Sequence, residues 1–190
     1  MKSMQLTEVI ARGAANGTVT EPIRDPKRLS PLTRMLLVAD GTVTDAVEAY
    51  YFEPCTVVKL GQRRQRLDHP LAPLELRAGA PVLERTIAMR GDESGETRFL
   101  AHTSFALARV GRGFVSDLEG TDLSLGDVLR RHMPTARREI LGAGIVRKQP
   151  RGLLGQWMKT APVWVVRTYI LRVRGAAIAL VNEYLPETEC

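Results

Sequence analysis

Two ionisable side chains interrupt the most apolar stretch of the sequence, residues 163–186. Within it, Arg174-Gly175 separates two runs of β-branched and aromatic residues, a pattern that predicts a hairpin of two long strands. Alternate side chains of a strand share one face, so Arg167 and Glu183 each lie among apolar neighbours and point toward the expected core. These neighbours are Val163, Val165, Tyr169 and Leu171 for Arg167, and Ala177, Ala179, Val181 and Leu185 for Glu183.

A third charge of this kind occurs in the strand predicted over residues 82–90. Arg85 shares one face with Leu83, Ile87 and Met89. An arginine among large apolar side chains needs an anionic partner, which either the protein or a ligand supplies. A buried structural ion pair is the commoner explanation for Arg167 and Glu183. A site that binds an anion and handles a proton is the alternative.

Backbone donors at a predicted helix start add to this chemistry. Ser124-Leu125-Gly126-Asp127 begins a helix that runs to His132 or Met133. The first N–H groups of a helix have no intrahelical acceptor, so this start is a natural place for a carboxylate or another oxygen.

A helix-turn-helix pair is predicted closer to the N-terminus. Ser30-Pro31 opens the first helix and Asp40-Gly41 ends it, while Thr42 or Thr44 caps a second helix over residues 45–51. The second helix is acidic where a recognition helix would be basic, which argues against DNA binding. We expect this pair to act as a lid.

The remaining elements complete the predicted fold. Together with the hairpin they give an α+β domain over residues 30–190: a single six-stranded antiparallel sheet with helix-turn-helix lids over a buried pocket. Residues 1–29 are expected to be a loosely packed N-terminal segment. The other predicted elements are a short helix at 6–12, strands at 55–67, 97–109 and 137–147, a loop at 117–120 and a short helix at 150–159.

Four small residues bear on the size of the pocket. Gly142, Gly144, Ala177 and Ala179 are expected on the inner face of the sheet, where they either leave room for a ligand or let strands and helices approach closely. An interior lined by Arg85, Arg167 and Glu183 suits a small aromatic or alicyclic anion.

Composition limits the function classes. The chain has 190 residues and a net charge of +6, with 22 arginines and 5 lysines spread along its length. Such scatter favours small anions over nucleic acid. The two cysteines and three histidines have no disulfide or metal-site spacing, and no apolar run reaches membrane-spanning length. We therefore expect a cytoplasmic protein without metal or cofactor, either a monomer or a homodimer.

Four sequence blocks resemble the chorismate pyruvate-lyase family, enzymes that convert chorismate to 4-hydroxybenzoate and pyruvate. The blocks are ADGTVTDAVE at 39–48, VLERTIAMRG at 82–91, LSLGDVL at 123–129 and VVRTYILRVRGAAIALVNEYLP at 165–186. The resemblance implies a six-stranded sheet, a buried lid-covered site and no metal or organic cofactor. By position it makes Arg85 the carboxylate-binding arginine and Glu183 the essential glutamate, with backbone amides near Val43 and at Leu125-Gly126.

The implied reaction needs binding, orientation and proton handling, because aromatisation of the ring drives it. Glu183, crowded by apolar residues, is expected to have a raised pKa and to serve as acid or hydrogen-bond donor. Arg167 either binds the substrate's second carboxylate or neutralises Glu183.

Two alternatives remain. The motif VNEYLP departs from the family's usual Thr-Glu pattern, and the alanines predict a wider pocket. The first alternative is therefore the same fold serving a tailoring or cyclisation step on another natural-product intermediate. The second alternative is a non-catalytic ligand-binding domain. Such domains are normally fused to a DNA-binding domain, and we expect the 29 residues ahead of Ser30 to be too few for one.

Overall fold

One antiparallel sheet organises the computed structural model, which describes residues 20–146 and 153–187. Seven strands are present in these residues, in the spatial order β1-β5-β6-β7-β4-β3-β2. Six had been predicted; the seventh, β1, has two residues that pair with the end of β5, too few to carry a sequence pattern. The strands are β1 (Thr20–Glu21), β2 (Cys55–Arg66), β3 (Pro81–Gly91), β4 (Thr97–Ala106), β5 (Arg137–Val146), β6 (Val163–Val173) and β7 (Ala176–Glu187).

Five α-helices are described, and four of them form two pairs. The predicted starts at Ser30 and Ser124 are confirmed, since both serine hydroxyls accept the backbone N–H three residues on. The loop predicted at 117–120 is wrong, because α3 covers it and buries Phe114, Val115 and Leu118 at helical spacing. The helices are α1 (Pro31–Val38), α2 (Val43–Tyr51), α3 (Arg112–Gly120), α4 (Leu125–His132) and α5 (Leu153–Trp157). The helix predicted at 6–12, and the start of the one predicted at 150–159, lie outside the described residues.

The sheet is covered on both faces. Helices α1 to α4 pack on the inner face, where the largest apolar cluster joins them to strands β3 to β7. Helix α5 packs on the outer face against Leu100, Trp164 and Tyr184. Strand β6 consequently has eight consecutive buried residues, 164–171, as expected for a strand between two layers.

Two β-bulges change which small residues reach the inner face. The first bulge is a register shift between β6 and β7, at the step from Leu171 to Arg172. It moves Ala177 to the outer face, beside Leu74, and brings Ile178 into the inner cluster. A second shift pairs Gly142 with Thr168, on the outer face. Gly144 pairs with Val166, and a Cβ there would meet Thr20 at 2.9 Å. The expected room on the inner face is therefore wrong for Gly142, Gly144 and Ala177; Ala179 alone of the four lies there.

A buried carboxylate anchors the C-terminal end of α2 to the β3–β4 hairpin. Glu53 accepts hydrogen bonds from the backbone N–H of Ser94 (3.0 Å), the Ser94 hydroxyl (2.9 Å) and Arg98 Nε (2.8 Å). The hydrogen bonds from Arg98 and Ser94 lower the pKa of Glu53 to about 2. Gly91 makes this contact possible, since a Cβ there would collide with the Glu53 carboxylate.

Candidate functional site

A cavity of about 40 Å³ lies between the inner face of the sheet and the starts of α2 and α4. Five of the six predicted site residues line it: Arg85 and Glu183 from the sheet, and Val43, Leu125 and Gly126 from the two helix starts. Arg167 does not. The volume is well below the ~300 Å³ or more of a typical small-molecule pocket, so the widening expected from the alanines is absent in this conformation.

Glu183 and Arg167 form a direct cross-strand pair on β7 and β6. Glu183 Oε2 accepts from Arg167 Nη2 (2.5 Å) and Nε (3.2 Å), and Glu183 Oε1 accepts from the Tyr169 hydroxyl (2.7 Å). The apolar surroundings predicted for Glu183 thus include one cation and one phenol. A carboxylate supplied with donors at both oxygens is an acceptor and not a donor.

Arg167 has its hydrogen-bonding capacity filled by the protein. Besides Glu183, its Nη1 donates to the carbonyl oxygens of Leu36 and Ala39 (2.7 Å for Ala39) at the end of α1. Its side chain has no exposed surface. Of the two roles that the sequence left open, the geometry matches the pairing with Glu183.

Arg85, unlike Arg167, is buried without a carboxylate partner among the described residues. It is 3% exposed, and its Nη2 donates to the Leu123 carbonyl (3.1 Å). Its Nε has no acceptor, and among residues 20–146 and 153–187 no carboxylate lies within salt-bridge distance of it. Burial lowers the pKa of Arg85 to about 10, an effect that the charge of Asp122 partly offsets. The predicted need for an anionic partner is unmet by the described part of the protein.

The starts of α2 and α4 close the cavity and touch each other. The cap residue Ser124 accepts from Asp127 N–H (3.2 Å), whereas the first N–H groups of each helix, at Val43 and Leu125, have no intrahelical acceptor. A Cβ at Gly126 would lie 2.6 Å from Thr42 Cγ2, so glycine permits this close approach. Arg130 Nη1 reinforces it by donating to the Thr42 hydroxyl at 3.1 Å.

Among the other residues that line the cavity are two ionisable side chains that sequence reasoning did not assign to the site, Tyr169 and Arg138. Tyr169 was noted only as an apolar neighbour of Arg167; burial and the adjacent Glu183 charge raise its pKa above the ordinary value, so it stays a neutral donor. Arg138 follows another arginine at the start of β5, where charge is unremarkable. Its alternation with Ile140, an inner-face residue, is the signal that could have identified it.

In the part of the chain that the structure describes, no group of three or more His, Cys, Asp and Glu side chains is placed to hold a metal ion. No described helix is both long enough and apolar enough to cross a membrane.

Sequence comparison gives one family. The model of a family described as "Rv2949c-like: Chorismate pyruvate-lyase Rv2949c-like" matches residues 37–189, a range that contains all six predicted site residues. No curated protein sequence gives a significant match.

Structural comparison finds regulator domains. PhnF from Mycobacterium smegmatis is 16% identical with a TM-score of 0.60, over 97% of this chain and 78% of that one. The effector domain of the same protein is 17% identical with a TM-score of 0.57, over 77% of this chain and 88% of that one. The C-terminal domain of the histidine utilization repressor from Pseudomonas syringae pv. tomato is 9% identical with a TM-score of 0.53, over 72% of this chain and 94% of that one. These similarities establish a shared fold.

Proposed function

This chain belongs to the Rv2949c-like chorismate pyruvate-lyase family, and from that premise we propose that it is an enzyme that eliminates pyruvate from chorismate to give 4-hydroxybenzoate, without a cofactor. The observation that carries the proposal is the Arg85 guanidinium, for which the described residues supply no carboxylate and whose Nε they leave without an acceptor; it lines the same cavity as the Glu183 carboxylate and the Tyr169 phenol.

Arg85 binds the ring carboxylate in this proposal. Its Nε–H and Nη2 lie on one edge of the guanidinium, the arrangement that grips a carboxylate bidentately. The N–H groups of Val43, Leu125 and Gly126 face the remaining substrate oxygens from the helix starts, where the helix dipoles favour negative charge.

The reaction is balanced by one bond cleavage and one proton transfer. The ring carbon–oxygen bond to the enolpyruvyl group breaks, its electron pair leaves with that oxygen, and the neighbouring ring carbon loses a proton as the ring becomes aromatic. Glu183, the only carboxylate among the described residues that line the cavity, accepts the ring proton. Tyr169, kept protonated by burial, orients the Glu183 carboxylate through its hydrogen bond to Oε1. The enolpyruvate then becomes pyruvate by proton transfer to carbon.

The test is to incubate purified protein with chorismate and to measure pyruvate and 4-hydroxybenzoate against the uncatalysed background. We expect both products in equal amounts, undiminished by a chelator. Arg85→Lys is expected to lower kcat/KM, whereas the matched control Arg64→Lys, at an exposed pair with Glu119, is expected to leave it unchanged. Folded protein that yields neither product contradicts the lyase assignment.

A ligand-binding role without turnover is the second candidate. It is favoured by the structural neighbours, which include an effector domain and a repressor's C-terminal domain. A rise in melting temperature with chorismate or 4-hydroxybenzoate, in the absence of product formation, would support it. A natural-product intermediate larger than chorismate would require a still wider opening of the cavity than chorismate does.

A further inference from the structure

Two orphaned guanidinium nitrogens lie in one cavity. In the described ranges, three buried side-chain polar atoms have no hydrogen-bond partner: Gln62 Oε1, Arg85 Nε and Arg138 Nε. Both arginines line the cavity. A buried unpaired donor on a charged group is costly, so two in the same cavity point to a ligand with an anionic group for each.

The register of the sheet places the two arginines at opposite ends of the inner face. A row of paired residues, one from each strand, crosses the inner face from Arg85 on β3 to Ile140 on β5. Arg138 lies two residues before Ile140 on β5 and on the same face. The backbones of β3 and β5 are four strand spacings apart, about 19 Å, and both side chains reach the cavity between them. The row consists of Arg85, Thr103, Val181, Tyr169 and Ile140.

The surroundings of Arg138 hold its side chain but leave one edge unused. Its Nη1 donates to the Asp40 carbonyl (2.7 Å), in the connection between α1 and α2. Its guanidinium lies 5.6 Å from the Tyr169 ring centre, a cation–π distance. No described carboxylate pairs with it. The edge formed by Nε and Nη2, which is the edge that binds carboxylates side-on, is therefore available.

We propose that Arg138 binds the second carboxylate of a dicarboxylate ligand whose first carboxylate is bound by Arg85. Arg167 is unsuited to this task, because its donors are taken by Glu183, Leu36 and Ala39. For the lyase reaction, on which this assignment rests, Arg138 binds the carboxylate of the enolpyruvyl group that departs. It thus selects dianions over monoanions.

Calorimetric titration with two probes tests the assignment. The probes are chorismate, which has two carboxylates, and 4-hydroxybenzoate, which has one. Arg138→Gln is expected to weaken chorismate binding about tenfold or more and to change 4-hydroxybenzoate binding less than about twofold. Arg85→Gln is expected to weaken both. Arg138→Lys, which keeps the charge but not the bidentate edge, is expected to lie between wild type and Arg138→Gln.

The outcomes separate this assignment from the lyase reaction. If Arg138→Gln loses the same affinity for both probes, or loses none for either, the role of Arg138 is overturned. A merely structural arginine would produce the equal loss, because its contact with the Asp40 carbonyl would be removed. Wild-type protein that binds neither probe overturns it as well. If wild-type protein binds chorismate in an Arg138-dependent way but makes no product, the dianion site stands and the lyase reaction falls.

Discussion

Arg167 and Glu183 face each other across β6 and β7, with Nη2 2.5 Å from Oε2, and the same arginine donates to carbonyls at the end of α1. The pair therefore fixes the Glu183 carboxylate at the cavity and at the same time attaches a helix to the sheet. Structural and catalytic explanations of these two charges, which the sequence offered as alternatives, are compatible in this geometry.

Glu183→Gln is expected to affect both stability and turnover. The amide leaves the fully buried Arg167 without its counter-charge, which costs about 3–5 kcal/mol of the free energy of unfolding. Turnover is expected to fall about 10²- to 10⁴-fold because the proton acceptor is lost. Denaturant titration and steady-state rates measure the two effects.

The double variant Glu183→Gln/Arg167→Met separates these effects. Removing the uncompensated guanidinium should restore part of the lost stability without restoring turnover. If activity returns together with stability, Glu183 is a structural residue and has no role in the chemistry.

Arg85→Met is expected to stabilise the ligand-free protein while abolishing anion binding. The substitution removes a desolvated guanidinium whose Nε has no acceptor among the described residues, and relieving such a group contributes about 1–3 kcal/mol. Thermal unfolding without ligand, compared with Arg64→Met at the surface, measures the gain. A clear destabilisation would mean that Arg85 supports the fold through contacts with its own protein.

Gly126→Ala is expected to push the starts of α2 and α4 apart. The added methyl group would lie 2.6 Å from Thr42 Cγ2, an overlap worth about 1–3 kcal/mol of destabilisation. The double variant Gly126→Ala/Thr42→Ser, which removes that methyl group but keeps the hydroxyl, should recover much of the loss. Unfolding free energies and kcat/KM of the three variants check this; equal values for the single and double variants would contradict it.

Acid stability is expected to depend on Glu53. Its pKa is about 2 in the folded protein and near 4.5 when unpaired, so its contribution is complete above about pH 4.5. That contribution is lost as the pH falls toward 2, because protonation removes the acceptor for Arg98. Glu53→Gln should flatten the dependence of the melting temperature on pH between these values. An unchanged slope would assign the acid sensitivity to other carboxylates.

Local alternation correctly predicted that Arg85, Arg167 and Glu183 point into the buried inner side of the sheet, because all three occupy regular parts of their strands. It failed at the bulges. On β7 the extra residue Ile178, opposite the step from Leu171 to Arg172 of β6, moves Ala177 to the opposite face. Nothing in the apolar sequence around it signals an insertion. Helix α3 was missed because it begins after a glycine without a side-chain cap. Arg138 was missed because its proposed role depends on Arg85 of β3, four strand spacings away in the sheet. Its neighbours in the sequence do not indicate that relationship.

Because both faces of β6 and β7 are covered, we expect the amides of this hairpin to exchange more slowly than those at the starts of α2 and α4. The hydrogen bonds of β6 and β7 have no exposed side from which the sheet can open locally, so exchange in this hairpin should require unfolding of the whole domain. The starts of α2 and α4, held to each other by small contacts such as Thr42 with Gly126 and Arg130, can separate at much lower cost. We therefore expect a ligand to enter by separation of these helix starts, while Glu183 and its partners keep their positions.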